Sequence, residues 1–235
     1  MCTGESSQQA QHRAILALLF LVPAPIVGTA VGMVLYPGPV GSAVYGLSKL
    51  WMWVLPALWW LAVDKAKPGW SKPDKGGFAV AAGLGLAIGA VIVAAYFLVG
   101  PYMIDAEQVR QVAAGNQLTS LPRYLALCAY LILVNSVMEE YVYRWFIFRK
   151  FESLLPSWAA VFAAAACFTA HHVIALVAQL GWFAGCLCSL GVFIGGVVWS
   201  WLYLRYRSIW PGYLSHAIVD VVVLVIGYVL IFGAT

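Results

Sequence analysis

The chain has 235 residues, of which 63% are hydrophobic and only 9% charged, whereas a soluble domain carries about 45–50% and about 25%. That composition excludes an ordinary water-soluble globular domain and points to an integral membrane protein. The net charge of +4 is spread over short loops, which excludes a clustered nucleic-acid-binding surface and reads instead as a topology signal.

The sequence predicts an all-α polytopic bundle of about seven transmembrane helices, since a span needs about 20 mostly apolar residues. A polar amino-terminal segment runs to Arg13, and no cleaved signal peptide is expected there. The first span covers about residues 14–35 and contains Pro23 and Pro25, which predict a kink. The second covers about 45–63 and carries Trp51, Trp53, Trp59 and Trp60. A polar loop from Asp64 to Lys75 leads to the third, about 77–99. Residues 100–122, with Asp105, Glu107 and Arg110, read as a solvated outer loop. The fourth to seventh spans cover about 123–148, 158–180, 182–203 and 212–232. Residues 1–122 (three spans and the outer loop) and 123–235 (four spans) are expected to form one integrated bundle.

Lys/Arg bias sets orientation. With the amino terminus inside, Arg13, Lys65, Lys67, Lys72, Lys75, Arg149, Lys150, Arg205 and Arg207 face the cytoplasm, and Lys49, Arg110 and Arg123 fall outside. The expected location is the plasma membrane of a prokaryotic cell. Gly28-x-x-x-Gly32, Gly85-x-x-x-Gly89 and Gly191-x-x-x-Gly195 are small-residue pairs that let helices approach closely. The five cysteines (Cys2, Cys128, Cys167, Cys186 and Cys188) show no zinc spacing and read as small buried thiols.

Against this apolar background a few polar groups stand inside spans, where each charge costs about 2.5–3.5 kcal/mol on insertion scales. Glu139, Glu140, Arg144 and Asn135 lie in the fourth span, His171 and His172 in the fifth, and His216 and Asp220 in the seventh. Residues four apart share a helix face. Asn135, Glu139 and Tyr143 thus form one stripe, and Glu140 and Arg144 an ion pair beside it. Glu139 is left without a local partner. His216 and Asp220 share a face, and the carboxylate is expected to fix the imidazole. His171 lies on a different face from His172 and reads as structural.

Glu139 stands about ten residues before Lys150, or about 15 Å from that end of the span. The three groups are expected to converge in a polar cavity open to the cytoplasm. A carboxylate and a histidine there can activate a water for attack on a carbonyl, with a second histidine near the oxyanion. The same set, Glu139, His172 and His216, can instead hold a zinc ion. His-Glu-x-x-His is absent.

Glu139-Glu140-x-x-x-Arg144, Phe168-x-x-x-His172 and His216-x-x-x-Asp220, in that order on separate spans, resemble the three motifs of the CPBP family. These are the type II CAAX prenyl endopeptidases and bacteriocin-processing or immunity proteins of the ABI type. The resemblance covers about residues 123–232, a CPBP-like catalytic core. It implies a helical bundle with a cytoplasmic polar cavity and cleavage of a peptide bond in a membrane-anchored or prenylated substrate. By position, Glu139 and His172 would activate water, Glu140 and Arg144 support them, and His216 with the residue four on form the oxyanion side. The family usually has Asn at that last place. Asp220 is expected to orient His216 or to stay neutral through burial. Asn135 and Phe168 are expected to contact substrate. No cofactor is expected, the alternative being zinc. The alternatives to a glutamic-type protease are a silent scaffold or immunity protein on the same fold and a proton-coupled transporter.

Overall fold

The computed structural model describes residues 7–65 and 71–233. Cys2 and Lys67 fall outside the described residues. Those described are mostly helical and contain no strand. Besides a single turn at Gly100–Met103, the helices are α1 (Ser7–Leu35), α2 (Pro39–Val63), α3 (Phe78–Leu98), a short α4 (Ala106–Gly115), α5 (Leu121–Glu152), α6 (Ser157–Leu180), α7 (Trp182–Tyr206) and α8 (Ile209–Phe232). All but α4 are long and apolar enough to cross a bilayer, which makes seven candidate spans among the described residues. The protein is an integral, multi-pass membrane protein.

The seven spans follow the expected order. Most of their ends, though not those of α3, reach further than the apolar runs, because small and polar residues such as those after Ser7 and Pro39 continue a helix that lipid-buried residues have already nucleated. At the proline pair, regular winding breaks at Val22 and a second segment begins at Pro23. There proline occupies a first-turn position whose N–H needs no partner.

The outer stretch differs from the expectation of a plain loop. Ala106–Gly115 is a helix, started by Asp105, whose carboxylate accepts from the backbone N–H of Glu107 at 2.9 Å and Gln108 at 3.2 Å. Glu107 also pairs with Arg110 at 3.1 Å. An acidic N-cap with an acid in the first turn is enough to fix so short a helix once α4 packs on α6 and α8.

Two close-packed pairs frame the bundle. α6 and α7 form a hairpin turned at Gly181, and Gly185 sits against the Val177 backbone, where a Cβ would come within 2.6 Å. α3 packs along α8, with Gly85 and Gly89 receiving Ser215, Ile218 and Val222. Gly28 and Gly32 likewise admit Ser48 and Tyr45 of α2. The third expected pair works differently. A Cβ on Gly191 would meet nothing within 4 Å, and the close contact falls on Gly196, against Ala165 and Phe168 of α6. α5 is central and touches α2, α6, α7 and α8.

Arg13, Arg149, Lys150, Arg205 and Arg207 gather at one end of the bundle. Lys150 pairs there with Asp64 at 2.6 Å, and Arg207 clamps Glu152 through two bonds of 2.6 and 2.7 Å. That hydrogen-bonded carboxylate raises the pKa of Arg207. Cys128, Cys167, Cys186 and Cys188 are free and half-buried, without pairing.

Candidate active site

The winding of α5 changes where the charges begin. Leu131–Asn135 and Glu140–Phe148 are π-helical, separated by one α-turn, Ser136–Glu139. Such wide turns are rare and concentrate at functional sites. Here they present Asn135, Glu139, Glu140 and Arg144 to the neighbouring helices.

The Glu140–Arg144 pair forms as expected, at 3.3 Å, with both side chains fully buried. Arg144 is enclosed by aromatic faces, with Cζ 4.5 Å from the Phe168 ring centre, 5.3 Å from Trp199 and 6.0 Å from Tyr143. Those π-faces offset part of the cost of burying a guanidinium. Glu140 Oε1 accepts from His216 Nδ1 at 3.1 Å, and Trp199 stacks on the His216 ring at 3.8 Å. Gly212 makes space for the other carboxylate oxygen. The group hydrogen-bonded to His216 is therefore Glu140, not Asp220 as the four-residue spacing suggested. Asp220 Oδ1 stands 3.8 Å from Nε2, beyond hydrogen-bond reach. Its other oxygen meets the Ser136 hydroxyl.

Glu139 lies one step along α5 and is 3% exposed. It has partners after all. Its oxygens stand 3.7 Å from His216 Nε2, 3.9 Å from His171 Nε2 and 3.9 Å from Lys49 Nζ. These lengths exceed a direct hydrogen bond, so the carboxylate is ringed by nitrogens without being locked to any of them. Lys49 also donates to Asn135 Oδ1 at 3.0 Å. His172 Nδ1 donates to the Phe168 carbonyl at 2.8 Å. A carbonyl only accepts, so the neutral ring keeps its Nε2 lone pair for other work. His171 Nδ1 meets the Tyr143 hydroxyl at 3.1 Å.

The structure thus brings together Glu139, Glu140, Arg144, His172, His216, Asp220, Asn135 and Phe168, the whole set singled out in the sequence. Phe168 is buried to 1% exposure among Arg144, His172 and His216 and walls the site from within. Several participants were not anticipated in these roles. His171 faces Glu139 at 3.9 Å rather than standing apart, with its ring 4.1 Å from that of His172. Ser136 contacts Asp220. Lys49, assigned by the sequence reading to the outer side, sits inside α2 and points at Glu139. Its signal was a lone lysine within an apolar run.

The ligating atoms of Glu139, His171 and His172 all lie within 4.8 Å of one another. Two imidazoles and a carboxylate suit a divalent metal with an open position. The set expected from the sequence had His216 in place of His171.

Burial also gives the site a direction. Toward the Arg- and Lys-rich end, Glu140, Arg144, Tyr143, Phe168 and Trp199 are all buried, at 0–4% exposure. The partly exposed members, Lys49, Asn135, His172 and Asp220, lie at the depth of Glu139 or on its other side. The opening toward the basic end expected from the sequence is not seen in this pattern.

Residues 121–222 match the family model described as type II CAAX prenyl endopeptidase, Rce1-like. The resemblance read from the three motifs therefore holds over this segment. Comparison with curated proteins and with solved structures gives no match.

Proposed function

Starting from that Rce1-like segment, residues 121–222, we propose that this protein is an intramembrane endopeptidase that hydrolyses a peptide bond in a membrane-anchored or prenylated, CAAX-type substrate. The observation that carries this reading is the buried Glu139 carboxylate, ringed by nitrogens it is not bonded to, beside the available Nε2 of His172. A water held between Glu139 and His172 gives a proton to the carboxylate as its oxygen attacks the substrate carbonyl carbon. The oxyanion so formed faces His216, which donates through Nε2–H when both ring nitrogens are protonated. Asp220 flanks it. Glu139 then passes the proton to the departing amide nitrogen, the C–N bond breaks, and an acid and an amine leave. Glu140 and Arg144 fix the His216 ring, and Asn135, at the partly exposed edge, meets substrate backbone. Low dielectric around the site strengthens each of these interactions.

Because Glu139, His171 and His172 cluster within metal-binding reach, a second reading has a divalent metal held by these three. Bound there it would act as a Lewis acid. The glutamate-only reading is preferred.

The test is cleavage of a farnesylated tail peptide and of an unprenylated membrane-anchored peptide, by wild type and Glu139→Gln, with and without chelator. Loss of a general base lowers turnover by roughly 10²–10⁴-fold. Equal cleavage by wild type and Glu139→Gln would sink the proposal. Loss with chelator, restored by zinc, would select the metal reading. Glu139-dependent proton flux without cleavage would favour a transporter.

A further inference from the structure

We propose that Lys49 is the positioning residue of Glu139, supplied to the site from outside the family-matched segment. This rests on the protease reading given above. Lys49 lies in the interior of α2 (Pro39–Val63), where a lysine is expensive unless a partner compensates it. Its side chain is 15% exposed, and Nζ donates to Asn135 Oδ1 at 3.0 Å while standing 3.9 Å from Glu139 Oε1. Asn135 lies one turn before Glu139 on α5, so a single ammonium is hydrogen-bonded to one turn of that helix and faces the carboxylate of the next.

The charge pattern gives the lysine a purpose. Three carboxylates, Glu139, Glu140 and Asp220, surround His216. Arg144 is the partner of Glu140 and stands on the buried side. His171, His172 and His216 carry charge only when protonated. Among the described residues, Lys49 is therefore the fixed cation paired with Glu139. With His171 it holds Oε1 between α2 and α6, each nitrogen 3.9 Å away, which leaves Oε2 turned to His216 and the reacting water. Residues 121–222 then hold the reacting groups but not the group that aims the base. A misplacement of about 1 Å at a reacting group can cost about 10²-fold in rate.

The experiment uses the full chain in lipid nanodiscs and compares wild type, Lys49→Met, Lys49→Arg, Glu139→Gln and the double variant Lys49→Met/Glu139→Gln. Lys49→Met is expected to lower kcat about 10²-fold, with KM changed by no more than a few-fold. Lys49→Arg is expected to restore most of the loss. In a thermal-melting cycle, the double variant is expected to differ from the sum of the single shifts, because contacting residues are not additive. Three results overturn the inference: wild-type kcat in Lys49→Met, a defect confined to KM, or additive melting shifts. If wild type cleaves no peptide, or Glu139→Gln cleaves as wild type does, the protease reading falls instead. The melting cycle still decides whether Lys49 and Glu139 are coupled.

Discussion

A Cβ at position 212 would stand 2.4 Å from Glu140 Oε2. Gly212→Ala therefore forces that carboxylate away from His216 and Arg144. It is expected to destabilise the fold by about 1–3 kcal/mol, as overpacking does, and to lower cleavage at the same time. Denaturant unfolding in detergent and a kcat measurement would show both; Gly212→Ala with wild-type values would contradict the packing. Asp220 carries a different lesson. The Ser136 hydroxyl has one hydrogen and two oxygen neighbours, the Leu131 carbonyl at 2.7 Å and Asp220 Oδ2. A donor at position 220 resolves that conflict. Asp220→Asn, which restores the residue usual in the resembled family, is thus expected to retain activity, and Asp220→Ala to lose it by about tenfold or more. Which of these residues were legible in the sequence follows from how each is marked. Glu139, His172 and His216 stood out because an acid or imidazole in an apolar run is costly without a partner. The roles of Ser136, Gly212 and Trp199 were hidden, since serine, glycine and tryptophan are ordinary in spans and only contacts give them meaning.

Among the helices, span number and order were readable because apolar length is a local property of the chain. Contacts between spans are not local. Gly85 and Gly191 open the same small-residue pattern, yet a Cβ on Gly85 would come within 3.0 Å of the Ser215 carbonyl and one on Gly191 would touch nothing within 4 Å. Gly85→Val is expected to push α8 outward, carry His216 with it, and depress both melting temperature and kcat. Gly191→Ala is expected to be neutral or to stabilise by about 0.4–1 kcal/mol, through the reduced freedom of the unfolded chain. Equal effects at the two positions would refute the α3–α8 contact. The π-winding of α5 was also invisible from a 3.6-residue period. The four-apart pairing of Glu140 with Arg144 nevertheless survived it, because a long guanidinium tolerates the change in register. The helix α4 was missed for a different reason. Its polar composition resembled a loop, and the Asp105 cap that starts it went unused in the sequence reading.

At the level of the whole molecule, two expectations pull apart. Moving Lys49 into α2 leaves only Arg110 and Arg123 among the cations assigned to the outer side, which strengthens the bias for a cytoplasmic amino terminus. A reporter fused to the amino terminus is therefore expected to be active inside the cell, and one at the carboxyl terminus outside. The half-buried members of the site, Asn135, His172 and Asp220, however, lie away from the basic end, on the far side of the buried Glu140, Arg144 and Trp199. A cysteine at Asn135 is expected to react with a water-soluble maleimide and one at Tyr143 to resist it; the reverse order would show that the site opens toward the basic end after all. The position of Lys49 also bears on how the protein is made. Arg144 emerges from the ribosome four residues after Glu140 and enters the bilayer already neutralised. Lys49 must wait for Asn135, 86 residues later. At about 5–20 residues per second that is about 4–17 s of synthesis. During that interval an unmatched ammonium sits in a nascent hairpin, so the chain depends on snorkelling or on the insertion machinery to shelter it. Degradation of newly made protein is therefore expected to rise when translation is paused between α2 and α5, and to fall back in Lys49→Met.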